Sequence, residues 1–219
     1  MRYDLVIFDL DGTVLNTLDD LADACNQTMR QFSYPEHSVN SVRKMVGGGI
    51  GKLIRRAVPE NTSDEDYKRA LAWFREYYAS HAEIKTAPYP GIQAMLSSLR
   101  QAGIHVACNS NKFDSAVRNL CKKYLSPNIE LAMGERAGVP RKPAPDAVYA
   151  ILNHFSVEKA RALYVGDSDV DIQTAKNAGI DCAWVSWGFR RRDELGTCKV
   201  QYDFDTAEEL EHFICETQP

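Results

Sequence analysis

The chain from Gly91 onward alternates between helical and strand-like patterns, and this alternation constrains the fold more than any other feature. Helical spacing over Gly91 to Ala102 ends at Gly103, a residue typical of helix C-termini, and the apolar stretch IHVACNSN follows as a strand. The series continues with a helix over 114–124, the strand IELAMGE, a helix over 144–155, the strand ALYVGDS, a helix over 170–177 and the strand DCAWVSW. With the apolar run LVIF as a first strand, this predicts an α/β fold, a Rossmann-like parallel sheet core with helices on both faces.

Residues 18–86 interrupt the alternation, because four helical patterns occur there with no strand between them. These patterns cover 18–32, 39–46, 50–57 and 64–81. We therefore expect two domains, an α/β catalytic core formed by 1–17 and 87–219 and an inserted all-helical domain formed by 18–86. Pro88, Pro90 and Gly91 in the return linker favour a hinge.

Composition excludes several classes of partner. The net charge of −4 over 219 residues argues against nucleic acid as a partner, and no apolar stretch is long enough to cross a membrane. The apolar run near the N-terminus is short and interrupted by acids, unlike a signal peptide. The six cysteines are widely spaced, with no CxxC pair, which favours reduced thiols. We expect a cytoplasmic protein.

Two predicted strands end in acidic residues. Asp9 and Asp11 follow the first strand and precede Gly12, while Asp167 and Asp171 follow the strand ALYVG. Each stretch has a simpler interpretation, since Asp-Gly is a common turn dipeptide and Asp caps helices. The carboxyl ends of parallel strands meet at one edge of a sheet, however, and clustered carboxylates repel one another unless a cation lies among them. Ligands that are all oxygen favour Mg²⁺.

Two other segments carry groups suited to an anion. Ser110 and Asn111 end the strand IHVACNSN just before a helix, and Lys142 lies in the turn RKPAPD. A single lysine is usually exposed, but a fixed cation near a metal and a hydroxyl suits a phosphoryl group. One aspartate of the first pair could then attack phosphorus and form an aspartyl-phosphate, and the other could transfer protons.

Taken together, these segments resemble the four motifs of the haloacid dehalogenase (HAD) superfamily, in the order found in that family. The motifs are DLDGT from Asp9, Ser110-Asn111, Lys142 in RKPAP, and GDSDVD with Asp167 and Asp171. The resemblance covers essentially the whole chain.

The resemblance implies a role for each motif residue. Asp9 would be the nucleophile and Asp11 the general acid/base. Ser110 and the Asn111 amide would bind the phosphoryl oxygens, and Lys142 would neutralise charge on the nucleophile and the phosphate. Asp9, Asp167 and the Asp11 carbonyl would hold Mg²⁺, and Asp171 would orient Lys142. The helical insert would be the cap of the family, which closes and selects the substrate.

The branch of the family follows from further details. Asp11 argues against dehalogenases and phosphonate-cleaving relatives, which lack that acid. The stretches SNK, KPAP and WGFR look most like the phosphoglycolate phosphatase-like branch, although Ser110 replaces a common Thr and Asn16 a common Asp. The resemblance implies a Mg²⁺-dependent phosphatase that hydrolyses a small-molecule phosphate monoester similar to phosphoglycolate.

In the insert, the stretch VRKMVGGGIGKLIRRA is rich in glycine and basic residues and has no acid. Gly47, Gly49 and Lys52 are candidates for contacts with an anionic substrate. A tight helix–helix corner with an exposed basic face is the simpler interpretation. Arg190 to Arg192 are expected in an exposed loop.

Two alternatives to a phosphatase share parts of this pattern. A phosphosugar mutase has all four motifs but protects its aspartyl-phosphate from water. A non-enzymatic receiver-like module carries a phosphorylated aspartate as a signal, but it lacks both the insert and the second acid Asp11. Steady turnover of an aryl phosphate would separate a phosphatase from both.

Overall fold

The computed structural model describes residues 2–216, and the chain divides into two compact units, one of residues 1–15 and 88–219 and one of residues 16–87. The first unit contains a six-stranded parallel sheet in the order β5-β4-β1-β6-β7-β8. Its strands are β1 (Leu5–Phe8), β4 (His105–Phe113), β5 (Leu131–Glu135), β6 (Ala162–Gly166), β7 (Asp181–Val185) and β8 (Tyr202–Phe204). The predicted α/β fold class is confirmed.

Helices cover both faces of this sheet. They are α5 (Ile92–Gln101), α6 (Asp114–Leu120), α7 (Asp146–Phe155), α8 (Asp169–Ala178) and α9 (Ala207–Cys215). Successive side chains of a strand point to opposite faces, so Val6 and Phe8 of β1 pack in one apolar core with α5, α6 and α9. Leu5 and Ile7 pack in a second core with α7 and α8. Burial on both faces explains why β1 is apolar at every position.

The second unit contains four helices and no long strand among its described residues. The helices are α1 (Leu18–Gln31), α2 (Val39–Met45), α3 (Ile50–Ala57) and α4 (Asp64–His81). The chain passes between the units at β2 (Leu15–Asn16) and β3 (Ala87–Pro88), which form a two-stranded sheet. Within this unit the buried Asp20 carboxylate accepts hydrogen bonds from the backbone N–H groups of Ile84, Lys85 and Thr86, which fixes the returning segment to α1.

The predicted helices and strands agree with the structure to within a few residues. The boundaries of α3 and α4 are the predicted ones, and Gly179, with a positive φ of 73°, caps the C-terminus of α8 as predicted. β8 and α9 were not predicted from the sequence. The signal for α9 was present, because Thr206 caps the helix by accepting a hydrogen bond from the Glu209 N–H. No helix within residues 2–216 is both long and apolar enough to span a membrane.

Candidate active site

Strand β1 places the first acidic pair at the carboxyl edge of the sheet. Its ladder continues one residue past the strand, where the Asp9 N–H donates to Val165 O at 2.9 Å. Asp9 is 8% exposed, so its carboxylate is held in a largely water-free position. Burial of a carboxylate is unfavourable unless charged or polar partners surround it, and the neighbouring strands supply those partners.

The buried Lys142 ammonium lies between two of the acids. Its Nζ is 2.8 Å from Asp9 Oδ1 and donates to Asp171 Oδ1, also at 2.8 Å. The side chain of Asn111 holds the backbone of the same lysine, because its Oδ1 accepts from the Lys142 N–H at 2.9 Å and its Nδ2 donates to the Lys142 carbonyl at 3.1 Å. The side-chain amide of Asn111 therefore positions Lys142, and binding of phosphoryl oxygens by the Asn111 amide stays a prediction.

Asp171 is fully buried and both of its carboxylate oxygens have partners. Oδ1 accepts from Lys142, and Oδ2 accepts from the Ser168 N–H at 3.1 Å and the Ser168 hydroxyl at 2.6 Å. The strand before it approaches closely, since a Cβ on Gly166 would lie 2.3 Å from Asp171 Cβ. These contacts suit a residue that orients the lysine.

Asp167 is fixed from three directions. Its Oδ1 accepts from the Thr13 hydroxyl at 3.2 Å and its Oδ2 from the Phe189 N–H at 2.7 Å. The Trp184 indole N–H donates to the Asp167 carbonyl at 2.8 Å. Two of these three donors, Trp184 and Phe189, lie in the stretches DCAWVSW and WGFR noted above, but no role at the site was predicted for either.

Two glycines make room for the Asp167 carboxylate. Gly12 has a φ of 89°, and a Cβ there would lie 2.6 Å from Asp167 Oδ2. A Cβ on Gly188 would lie 2.2 Å from Asp167 Cβ and 2.5 Å from the Gly12 carbonyl oxygen. Because real Cβ atoms do not approach this closely, a side chain at either position would displace the acid.

The protonation of these acids reflects an excess of negative charge. Burial raises the pKa of Asp9 well above its usual range, although Lys142 acts in the opposite direction. Burial and the nearby Asp171 raise the pKa of Asp167 to about 7. Burial alone would lower the pKa of Lys142, but Asp171 and Asp9 outweigh it and the pKa is raised. The site therefore stabilises a cation.

The donor set fits a hard divalent cation. One carboxylate oxygen from each of Asp9, Asp167 and Asp171 lies within 4.8 Å of the others, and all three residues are buried. The oxygens of Asp171 already accept from Lys142 and Ser168, which leaves Asp9 and Asp167 as the acids better suited to hold a metal. An all-oxygen donor set of this kind is the one Mg²⁺ prefers.

The end of β4 contributes a hydroxyl and a second buried lysine. Ser110 is buried, and its hydroxyl oxygen accepts from the Lys112 N–H at 3.2 Å. Lys112 Nζ donates to Asp11 Oδ1 at 2.7 Å. No role for Lys112 was predicted, although its period-two spacing from Ser110 near the end of a buried strand indicates that the two side chains share a face.

Three candidates, Gly47, Gly49 and Lys52, belong to the helical unit of residues 16–87. The φ angles of Gly47 and Gly49 are 113° and 88°, which glycine alone adopts without strain. Lys52 folds over the preceding loop, where a Cβ on Gly48 would lie 3.1 Å from Lys52 Nζ. The structure thus explains these glycines by the loop before α3, and their contact with substrate stays a prediction.

The expectation of an exposed loop from Arg190 to Arg192 is wrong for its first residue. The Arg190 side chain is only 13% exposed, with Nε 3.9 Å from Asp169 Oδ1. It directly follows Phe189, whose backbone N–H holds Asp167, so the packing of that segment buries Arg190 as well. Arg191 and Arg192 are exposed as expected.

Comparison with known proteins gives consistent results. A family model described as haloacid dehalogenase-like hydrolase matches residues 6–185. The phosphoglycolate phosphatase of Rhodospirillum rubrum is 34% identical over 209 residues, which cover 91% of this chain and 87% of that protein. The phosphoglycolate phosphatase of Aquifex aeolicus is 31% identical over 186 residues, covering 84% of this chain and 85% of that protein.

Solved structures with the same fold match nearly the whole chain. A crystal structure from Lactobacillus delbrueckii subsp. bulgaricus, provisionally named phosphoglycolate phosphatase, has a TM-score of 0.93 and 35% identity and covers 98% of this chain and 99% of its own. A predicted phosphoglycolate phosphatase from Haemophilus somnus has a TM-score of 0.90 and 25% identity, with coverage of 97% and 98%.

Proposed function

This chain belongs to the family of haloacid dehalogenase-like hydrolases, and from that membership we propose that it is a Mg²⁺-dependent phosphatase of a small phosphate monoester, phosphoglycolate or a close analogue. The resemblance that the four motifs indicated is confirmed, and the curated relatives make the chain a phosphoric monoester hydrolase. The main support for a Mg²⁺-dependent phosphatase mechanism is the buried cluster in which the Lys142 ammonium lies 2.8 Å from both Asp9 and Asp171.

In the first step of the proposed reaction, an Asp9 carboxylate oxygen attacks phosphorus. The bond from phosphorus to the leaving oxygen breaks, and that oxygen takes a proton from the Asp11 carboxylic acid. Lys142 stabilises the negative charge that builds up on the phosphoryl oxygens, and the Ser110 hydroxyl is placed to donate to one of them. The products of this step are an alcohol and an aspartyl-phosphate on Asp9.

In the second step, water attacks the phosphorus of the aspartyl-phosphate. Asp11, now ionised, accepts a proton from this water, and the bond between phosphorus and the Asp9 oxygen breaks. Inorganic phosphate leaves, Asp9 is again a carboxylate and Asp11 is again protonated. Asp11 thus returns to its starting state after one turnover.

Asp9, Asp167 and the carbonyl of Asp11 would hold the metal ion. When bound, Mg²⁺ supplies positive charge that screens the nucleophile from the phosphate dianion. Asp171 would keep Lys142 oriented, since it accepts from the ammonium while Ser168 holds its other oxygen. The pKa of Asp167, raised to about 7 by burial and the nearby Asp171, supports this assignment because a bound cation would offset the charge of the clustered acids.

We propose that residues 18–86 act as the helical cap and select the leaving group. The core residues act on the phosphoryl group, which every phosphate monoester shares, so discrimination requires other contacts. Gly47, Gly49 and Lys52 supply such contacts in this proposal, with Lys52 as the cation for an anionic leaving group. Their conformation at the start of α3 brings backbone N–H groups and an ammonium together.

Phosphate release from 2-phosphoglycolate and from p-nitrophenyl phosphate tests the proposed function. Both should be hydrolysed with Mg²⁺, and excess chelator should abolish turnover until Mg²⁺ is restored. Asp9→Asn should remove activity, while Asp11→Asn should lose about 10²- to 10⁴-fold, the usual contribution of a general acid/base. The matched control Asp19→Asn, at an exposed position of α1, should behave as wild type.

Mass spectrometry of acid-quenched protein should locate a phosphoryl group on Asp9. An adduct on another residue, or full activity in chelator, contradicts the mechanism. Transfer of the phosphoryl group to a second hydroxyl of a sugar phosphate, without release of phosphate, would instead identify a mutase. A stable aspartyl-phosphate with no turnover at all would identify a receiver-like module.

A further inference from the structure

Lys112 is a buried cation that the proposed reaction has not used. Its side chain is 3% exposed, and its Nζ donates to Asp11 Oδ1 at 2.7 Å. The Asp11 side chain is 16% exposed, so the ion pair lies at the boundary between the buried acids and solvent. Burial of a lysine is unfavourable without a charged partner, and even a paired lysine adds little net stability. We therefore looked for a functional role of Lys112.

The end of β4 fixes the backbone from which Lys112 projects. Pairing of β4 with β5 is irregular between Asn109 and Phe113, and such an irregularity redirects the side chains near it. The Lys112 N–H donates to Ser110 Oγ, and a Cβ on Gly134 would lie 2.6 Å from the Lys112 carbonyl oxygen. At Gly134, β5 therefore approaches β4 too closely for any residue but glycine. This close packing fixes the backbone of Lys112.

The two buried lysines contact different acids. Lys142 lies between Asp9 and Asp171, whereas Lys112 contacts Asp11. The hydrogen bond from Lys112 Nζ to Oδ1 of Asp11 restricts the rotation of that carboxyl group.

We propose that Lys112 is a positioning residue for the general acid/base, holding the Asp11 carboxyl group in the orientation from which it transfers protons. The proposal rests on the proposed phosphatase function and deepens it. Lys112 acts through Asp11 and gains or loses no proton itself. Loss of this contact would remove one constraint on the orientation of the carboxyl group, and proton transfer would lose part of the alignment it requires.

This role predicts a dependence on the leaving group. The leaving oxygen of 2-phosphoglycolate is an alkoxide and needs a proton as the bond to phosphorus breaks. The phenolate of 2,4-dinitrophenyl phosphate leaves without one. Removal of Lys112 should therefore slow transfer to Asp9 from the first substrate and spare transfer from the second, whereas a general distortion of the site would slow both.

Rapid-quench measurements on Lys112→Met test the proposal, because Met keeps the length of the apolar stem and removes the charge. Formation of the aspartyl-phosphate from 2-phosphoglycolate should slow by about 10²-fold, the lower end for a general acid. The burst of dinitrophenolate should stay close to wild type, and hydrolysis of the intermediate should slow with both substrates. Lys122→Met, the same change at an exposed position, should alter nothing.

An Asp11→Asn background shows whether Lys112 acts through Asp11. Adding Lys112→Met there should change the rate with 2-phosphoglycolate very little, because the group that Lys112 positions is already lost. A thermal unfolding curve establishes that each variant is folded. If Lys112→Met does not fold, Lys112→Gln replaces it under the same criteria.

Three results for the rate of aspartyl-phosphate formation overturn the role of Lys112: equal losses with both substrates, no loss with 2-phosphoglycolate, or the same loss in the Asp11→Asn background as in wild type. Each of these leaves the phosphatase function standing, since wild-type protein still turns over both substrates. Wild-type protein that releases phosphate from neither substrate contradicts the proposed function itself, and the role of Lys112 with it.

Discussion

The Lys142 ammonium donates a 2.8 Å hydrogen bond to Asp171 Oδ1 at a position where neither side chain has appreciable contact with solvent. The two residues are 29 positions apart: Lys142 lies in the segment before α7, and Asp171 lies in the first turn of α8. A buried ion pair contributes little net stability, but removal of one partner leaves the other as an uncompensated buried charge. The pair is therefore a sensitive point for both folding and activity.

Lys142→Met and Asp171→Asn should each lower the free energy of unfolding by about 3–5 kcal/mol, because each leaves a buried partner without its counter-charge. The double variant should lose much less than the sum, and urea denaturation of the four proteins measures the difference. As a control, Lys142→Met should be additive with Asp181→Asn, since Asp181 lies at the start of β7 and bonds to Tyr3. Additivity of Lys142 with Asp171 would contradict the coupling.

The raised pKa of Asp167 predicts that stability without metal depends on pH. Its value is about 7 in the folded chain against 3.8 normally, so the folded state binds the proton more tightly than the unfolded state. Stability from this group is therefore lost as pH rises from about 4 to about 7. In excess chelator, the unfolding free energy of wild type relative to Asp167→Asn should be lower at about pH 8 than at about pH 5.

Wild type and Asp167→Asn also show whether Asp167 contributes to Mg²⁺ binding. Mg²⁺ should stabilise the wild type at about pH 8 by mass action and should stabilise Asp167→Asn much less. A difference between the two proteins that stays constant across this pH range would show that Asp167 does not titrate there.

The Trp187 indole N–H donates to the Thr13 carbonyl at 2.9 Å, and Thr13 is fully buried. Trp187→Phe should lower the free energy of unfolding by about 1–3 kcal/mol, because a buried carbonyl loses its donor. Activity should fall as well, since the Thr13 hydroxyl holds Asp167. Trp73→Phe provides the matched control, because Trp73 contacts Tyr77 by ring stacking, which phenylalanine preserves.

Lys52→Met should raise KM for 2-phosphoglycolate by about 10-fold, the equivalent of one charge-assisted hydrogen bond to the leaving group. KM for p-nitrophenyl phosphate should change far less, because that substrate lacks the second anionic group. Lys68→Met is the control, since Lys68 is an exposed residue of α4. Equal changes with both substrates would show that the loop before α3 has only a structural role.

The sequence was sufficient to predict the elements that depend on local periodicity. The alternation from Gly91 onward predicted the parallel sheet, and the boundaries of α3 and α4 followed from helical spacing. The strand β8 was missed because its three residues carry no extended apolar pattern. The motifs that place acids after β1 and β6 were likewise visible, because strand ends in an α/β sheet are where such residues converge.

The partners of each site residue were decided by the tertiary structure alone. Lys112 and Asp11 are 101 positions apart, and the side chain of Asn111 holds the backbone of Lys142 across 31 positions. The sequence does not distinguish an exposed lysine from one that is buried against a carboxylate. Only the packing of the strands decides between the two. The sequence by itself therefore determined the fold class and the chemical groups at one sheet edge, while the folded chain determined which charge faces which, because burial and distance set the strength of an ion pair.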